Sequence, residues 1–327
     1  MRKFFSATPE EIFRGETTDI YFQRTLEILK AKNLDRTEVL AEIFPTGEGL
    51  LCGIEEIRQL LEGKPLEVWA QKEGTLFRAQ DTLVRIIGPY GEFGIYETTM
   101  LGILASSSGW ATAARQCRQA AGNKPVISFG ARHIHPAVVP VMDRAAFIGG
   151  ADGVSSVLGA KLLRIKPSGT MPHALILIMG DTVQAAWAFE EIVEPDVPRV
   201  VLIDTFHDEA EEALRVAEAL KDKLYGVRLD TPRERGGVTP DLVKEVRARL
   251  DQAGFHYVKI FVSGGLNPEK ISALSDVGAD AFGVGSYISS ARPIEMTMDL
   301  KSVRGKPLAK RGRIPGPIEN PLLERIL

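Results

Sequence analysis

The chain has 327 residues, 44% hydrophobic and 25% charged, with a formal net charge of −3 and a pI near 6.1. This is an ordinary folded composition, long enough for two domains or one barrel with an added layer. It supplies no field that argues for nucleic acid or an anionic membrane as partner. Cys52 and Cys117 stand alone and far apart, which makes neither a disulfide framework nor a zinc pattern and favours a reducing cytosol. The start, Met1-Arg2-Lys3-Phe4-Phe5, has one feature of a signal peptide, but Ser6-Ala7-Thr8-Pro9-Glu10-Glu11 supplies no apolar core. No apolar run approaches the ~20 residues that span a bilayer, so a cytoplasmic protein is expected.

In chain order, Asp19 stands where it can cap a helix running through Leu26, Leu29 and Leu34. From Val39 to Val84 the pattern is short strands between turns, as in Leu66-Glu67-Val68-Trp69-Ala70 and Leu83-Val84-Arg85-Ile86-Ile87. Ile54, Ile57, Leu60 and Leu61 predict one helix among them. With no repeating βα unit, this half reads as α+β. Glu97 to Arg118 predicts a long helix of Ala, Leu and small residues, suited to close packing at a domain or subunit contact.

After Gly122-Asn123-Lys124-Pro125 the rhythm changes to strand and helix in alternation. Strands are expected at Val126 to Phe129, Asp152 to Val157, Val200 to Ile203, Tyr225 to Leu229, Tyr257 to Val262 and Ala281 to Val284. Helices are expected from Pro136 to Ile148, from Thr182 to Val193, from Asp208 through Leu220 and from Asp241 onward. About seven short strands alternating with helices are the pattern of a parallel (β/α) barrel, without an evident eighth. The Arg/Lys/Pro/Gly-rich tail is expected to pack back onto the first domain. The division predicted is 1–118, joined by 300–327, and 119–299.

Two consecutive strands end in glycine turns, Ser263-Gly264-Gly265 and Gly283-Val284-Gly285-Ser286. Unhindered backbone N–H groups there can face an anion, and the loops after the last barrel strands commonly hold a phosphate. The other strand ends are polar: Arg132, His133 and His135; Asp152, Ser155 and Ser156; Ser168, Thr170 and His173; Asp204, Thr205 and His207; Arg228, Asp230 and Thr231. Taken singly, such an Asp is usually a helix cap and such a His a structural hydrogen-bond partner. Together they make a rim suited to a phosphorylated, hydroxylated substrate, with Arg228 on an anion and Asp230 on a diol or a metal-bound ribose. No serine nucleophile elbow, P-loop or Rossmann fingerprint occurs.

The segments Ser128-Phe129-Gly130-Ala131-Arg132, Gly169-Thr170-Met171-Pro172-His173, Arg228-Leu229-Asp230-Thr231, Ser263-Gly264-Gly265 and Gly283-Val284-Gly285-Ser286 fall in one order with Thr18-Asp19-Ile20-Tyr21 and Lys310-Arg311-Gly312-Arg313. In that order the chain resembles, over essentially its whole length, the nicotinate phosphoribosyltransferases, in the short form of archaea and some bacteria. The resemblance implies an N-terminal domain of α/β-sandwich type and an incomplete seven-stranded barrel of the type II phosphoribosyltransferase kind. It also implies homodimers, or higher oligomers of dimers, whose sites combine both subunits.

The implied reaction joins nicotinate to phosphoribosyl pyrophosphate, with Mg²⁺ as cofactor and ATP as a second co-substrate. Phe129 would stack on the pyridine with Tyr21 of the partner subunit opposite. Arg132 and Arg228 would bind anions and Asp230 the ribose, with Ser168, Thr170, Asp204 and Thr231 also in the substrate site. Ser263, Gly264, Gly265, Gly283, Gly285 and Ser286 would hold the 5′-phosphate. His173 resembles the histidine that takes a phosphoryl group from ATP, although Pro172 before it departs from the commoner pattern. The cysteine-rich zinc site of some short relatives is not expected here. The rivals are a quinolinate phosphoribosyltransferase, which should need a denser cationic cluster, a nicotinamide-specific enzyme, and a nucleotide-binding regulator without catalysis.

Overall fold

The computed structural model describes residues 3–327; Met1 and Arg2, part of the basic start considered above, lie outside them. The chain divides into two compact units, residues 1–112 with 292–327 and residues 113–291. The boundaries thus fall a few residues before the expected 118/119 and 299/300.

The first unit is built on an antiparallel sheet. It contains β1 (Glu38–Pro45), β3 (Glu67–Ala70) and β5 (Val84–Pro89), while β2 (Gly49–Leu50) and β4 (Leu76–Phe77) pair with each other as a separate two-stranded sheet. In β5 burial alternates along the strand, as a sheet with one packed face requires. The helix Ile54–Leu61 buries the four apolar residues that predicted it, and they join Ile43, Val68, Ile86, Phe93 and Met100 in one core. Asp19 stands at a helix start without a side-chain cap bond. Its carboxylate instead accepts from Thr98 Oγ1 (3.1 Å) and from the Tyr21 hydroxyl (3.2 Å), so the expected capping role is corrected.

A helix from Glu97 to Ala121 leads out of this unit. Burial and Asp299 push the Glu97 carboxyl up to about 7 from 4.5, with Lys310 opposing. Between those values the folded chain keeps a proton that the unfolded chain has released, so stability falls as pH rises through that window. Glu97→Gln removes the titration. Relative to wild type, the variant should gain about 1–2 kcal/mol in denaturant unfolding between about pH 5 and pH 8, a figure reduced for the partial exposure of Glu97. Equal pH dependence of the two proteins would contradict this.

The second unit is a parallel sheet with helices between its strands. The strands are β6 (Val126–Ser128), β7 (Gly153–Val154), β8 (Val200–Leu202), β9 (Gly226–Leu229), β10 (Lys259–Val262) and β11 (Ala281–Val284). Their order is β7-β6-β11-β10-β9-β8, every pair parallel. The last strand thus pairs with the first, the cyclic order of a barrel, while β7 and β8 end the order unpaired with each other. Six strands are formed among the described residues, not seven. Beside β7 the chain makes one strand-like bond, Ser168 N–H to Val154 O (2.8 Å). β8 and β11 are buried at every residue, which explains their uninterrupted apolar runs.

The chain then returns to the first sheet through β12 (Met296–Val303), β13 (Lys306–Pro307) and β14 (Glu324–Arg325), completing the order β13-β12-β1-β5-β3-β14. In the tail, Lys310 and Arg313 both pair with Asp299 at 2.8 Å.

Candidate active site

Polar side chains gather at the carboxyl ends of the parallel strands, and each turn there has a local reason. Phe129 continues the pairing of β6 by donating its N–H to Val284 O (2.8 Å). Its ring then lies on Gly283, where a Cβ would stand 2.3 and 2.5 Å from ring carbons. Only hydrogen fits at 283, so the bare backbone expected to face a phosphate serves first as the seat of the aromatic ring. At the next turn Gly264 and Gly265 both take left-handed backbone, φ +91° and +64°. A Cβ on Gly264 would come within 3.0 Å of Asp230 Oδ1. The Ser263 hydroxyl donates to that same oxygen (2.9 Å), so this buried serine orients Asp230.

Arg228 is the electrostatic centre. Its guanidinium donates to Thr170 Oγ1 (2.5 Å) and lies 3.6 Å from Asp230 Oδ2, with the side chain 13% exposed. Burial pulls its pKa down from the ordinary value, Asp230 and Asp204 oppose that, and Arg132 adds to it. Asp204 follows β8, and its Oδ2 meets His173 Nε2 at 3.1 Å. Burial raises the Asp204 carboxyl above its usual range, His173 opposes, and Asp230 adds to the rise. Asp204 Oδ1 and Arg228 Nε are buried without a hydrogen-bond partner.

Small-molecule sites are commonly cavities of about 300–1,000 Å³, and one of ≈ 620 Å³ opens here. Phe129, Arg132, Arg228, Asp230, Gly264, Gly265, Gly283, Gly285 and Ser286 line it, with Ser263 and Thr231. The Thr231 hydroxyl donates to buried Glu209 (2.9 Å), which fixes the side chain at the cavity wall. Ser168, Thr170, His173 and Asp204 lie outside the lining, though Thr170 and the His173–Asp204 pair reach it through Arg228. Tyr21 belongs to the other unit and is 57% exposed. Asp152 leaves the rim altogether, because its carboxylate accepts from the N–H of Val126, the first residue of β6 (2.8 Å).

Sequence reasoning missed Arg233 and Lys270, which line the same cavity. A signal existed for Lys270. It is the third residue of the helix Pro268–Ser275, where a cation opposes the helix dipole unless an anion is near. For Mg²⁺ the donor set is oxygen-rich but small. Asp230 lines the cavity and Asp204 Oδ1 is buried without a hydrogen-bond partner, while no group of three or more His, Cys, Asp or Glu placed to hold a metal ion occurs among the described residues. Two carboxylates with substrate phosphates completing the shell are the usual manner of binding Mg²⁺, so the residues fit it.

With this geometry in place, comparison with known proteins decides the family. Residues 19–108 match the model of the quinolinate phosphoribosyl transferase N-terminal domain, and residues 110–299 match that of its C-terminal domain. The chain belongs to the quinolinate phosphoribosyltransferase family. It is similar to the solved nicotinate-nucleotide pyrophosphorylase from Pyrococcus furiosus, with 51% identity and a TM-score of 0.93 over 97% of this chain and 82% of that one. It is also 32% identical over 231 residues to a nicotinate phosphoribosyltransferase of Mycobacterium tuberculosis, covering 69% of this chain and 49% of that protein. A Bacillus subtilis nicotinate phosphoribosyltransferase is 32% identical over 228 residues. The chain spans about half the length of these last two relatives. Human nicotinic acid phosphoribosyltransferase, at 20% identity and a TM-score of 0.73, shares the fold.

The chemistry common to this family is phosphoribosyl transfer in pyridine nucleotide synthesis. The rival weighed from the sequence, the quinolinate enzyme, is the better supported of the two names by these matches. Both domain descriptions carry it, and the nicotinate phosphoribosyltransferases match at lower identity and over less of their length than the Pyrococcus structure. Among the described residues no helix is long and apolar enough to cross a membrane.

Proposed function

We propose that the chain transfers the phosphoribosyl group of phosphoribosyl pyrophosphate to the ring nitrogen of nicotinate, releasing pyrophosphate. The observation that carries the choice of acceptor is the distribution of cations. Arg233 and Lys270 border Gly265, at the end proposed for the phosphate, which leaves Arg132 and Arg228 near Phe129. Two guanidiniums suit one pyridine carboxylate beside a pyrophosphate; a second carboxylate would go unneutralised. Phe129 offers a ring face to the pyridine, and Tyr21 of a second copy would cover the other. Asp230, held by Ser263, accepts hydrogen bonds from ribose hydroxyls and stabilises the positive charge that develops on the sugar as pyrophosphate leaves. Arg228 stabilises the charge on the departing group. Asp204 and Asp230 would hold Mg²⁺, which when bound neutralises pyrophosphate oxygens.

The His173–Asp204 pair supports coupling to ATP. With Nε2–H donated to Asp204, the other ring nitrogen keeps a lone pair that can attack a phosphoryl group. His173→Asn should then abolish acceptor-dependent ATP consumption and leave an uncoupled phosphoribosyl transfer. Equal loss of both would make His173 a substrate ligand.

The second reading is the quinolinate enzyme, favoured by both domain descriptions and the Pyrococcus structure. Because quinolinate has one carboxylate more than nicotinate, forming nicotinate nucleotide from it must release CO₂. Turnover of ring-labelled nicotinate and of quinolinate labelled in the 2-carboxylate separates the two. Nicotinate is expected to react at least about tenfold faster. Faster quinolinate turnover with stoichiometric labelled CO₂ would establish the second reading.

A further inference from the structure

We infer that Arg233 is the side-chain ligand of the sugar 5′-phosphate, closing over the glycine turn from the loop that follows β9. The inference deepens the phosphoribosyltransferase reading and rests on it. After Asp230 the chain folds into a tight turn. Arg235 N–H and Gly237 N–H both donate to Pro232 O (3.0 Å each), and Gly236 N–H donates to Arg233 O (2.9 Å). This hydrogen-bonded turn fixes the backbone that carries Arg233, so only its exposed side chain remains to be ordered when a ligand arrives.

The guanidinium lies against Gly265: Nη2 is 3.5 Å and Nε 3.9 Å from where a Cβ of that residue would be. On the far side of the same turn, Lys270 Nζ donates to Gly265 O (3.2 Å). Two cations therefore converge on one residue whose left-handed backbone and missing side chain leave room for an oxyanion.

Neither cation has an ion-pair partner among the described residues, whereas Arg235 and Arg228 do. Arg235 reaches Glu209 at 3.3 Å, and Arg228 lies 3.6 Å from Asp230. Asp230 is not open to Arg233 in the same way, since Ser263 holds its Oδ1 and Arg228 its Oδ2. A cavity wall with two uncompensated cations beside exposed glycine backbone is matched by a dianion, and a phosphomonoester has the charge and size for it. Arginine rather than lysine at 233 suits that ligand, because its planar fork meets two phosphate oxygens at once. The pyrophosphate is assigned instead to the Arg228 side of the cavity, so the two ends of the substrate are held by different arginines.

The test is calorimetric binding of ribose 5-phosphate and of inorganic pyrophosphate to the full chain, as wild type, Arg233→Met and Arg233→Lys. Arg233→Met should weaken ribose 5-phosphate by about 10- to 100-fold, the range for losing a charge-assisted hydrogen bond. Pyrophosphate should change by less than about threefold, the scatter of a surface substitution. Arg233→Lys should fall between, keeping the charge without the fork. Ribose 5-phosphate bound equally by Arg233→Met and wild type would overturn the assignment alone. So would a loss confined to pyrophosphate, which would put Arg233 on the leaving group. A wild type that binds neither ligand would overturn the phosphoribosyl reading and this inference with it.

Discussion

Replacing Arg228 by Met is expected to lower kcat/KM for phosphoribosyl pyrophosphate by about 10²- to 10³-fold, the range for truncating one partner of a buried charge pair. The size follows from what the guanidinium does at once. It fills a nearly enclosed position, donates to Thr170 at 2.5 Å, lies 3.6 Å from Asp230 and interacts electrostatically with Asp204. Without it Asp204, already raised by burial, loses a favourable cation and moves further up. The acid limb of the pH–rate profile should therefore shift to higher pH in Arg228→Met. Arg228→Lys should restore part of the charge and little of the geometry, since an ammonium cannot serve Thr170 and Asp230 as a fork. A variant with an unmoved acid limb and near-wild-type kcat/KM would show that Arg228 is a packing residue.

Gly283→Ala should be the most disruptive single-methyl change in the site. The new carbon would lie 2.3 Å from Phe129 Cε2 and 2.5 Å from Cδ2, and 283 sits in a strand buried at every residue. Neither the strand nor the ring can move cheaply, so a stability loss of about 1–3 kcal/mol is expected from overpacking. The ring would also be pushed into the cavity, raising KM for the pyridine acceptor more than for the phosphoribosyl donor. Adding Phe129→Ala should relieve the clash, so the double variant should be more stable than the sum of the two single losses predicts. Strict additivity would mean that ring and glycine are not coupled as described.

Much of the fold was legible because its signals are local. β8 and β11 are apolar at every position, and the helix Ile54–Leu61 repeats its apolar residues at helical spacing. The expected count of about seven parallel strands is not reached: the six segments read as strands in the sequence are the six that form. At the site, glycine turns and strand-end charges marked the right end of the sheet. Their individual tasks were not legible. Whether Gly283 faces a ligand or a ring depends on Phe129, 154 positions away in the chain, and only the β6–β11 pairing brings them together. Thr231 lines the cavity beside Asp230, but its bond to Glu209, 22 positions earlier, left no signal in the sequence. Arg233 was hidden because it belongs to a loop whose charges, read in sequence, look like solvated surface.

The most direct test of the account is release of pyrophosphate from phosphoribosyl pyrophosphate by the purified full chain, with and without a pyridine carboxylic acid. Release that depends on the acid, matched one for one by a pyridine mononucleotide in the mass spectrum, is the predicted result. Release that is indifferent to the acid, or no mononucleotide with either nicotinate or quinolinate, would contradict it.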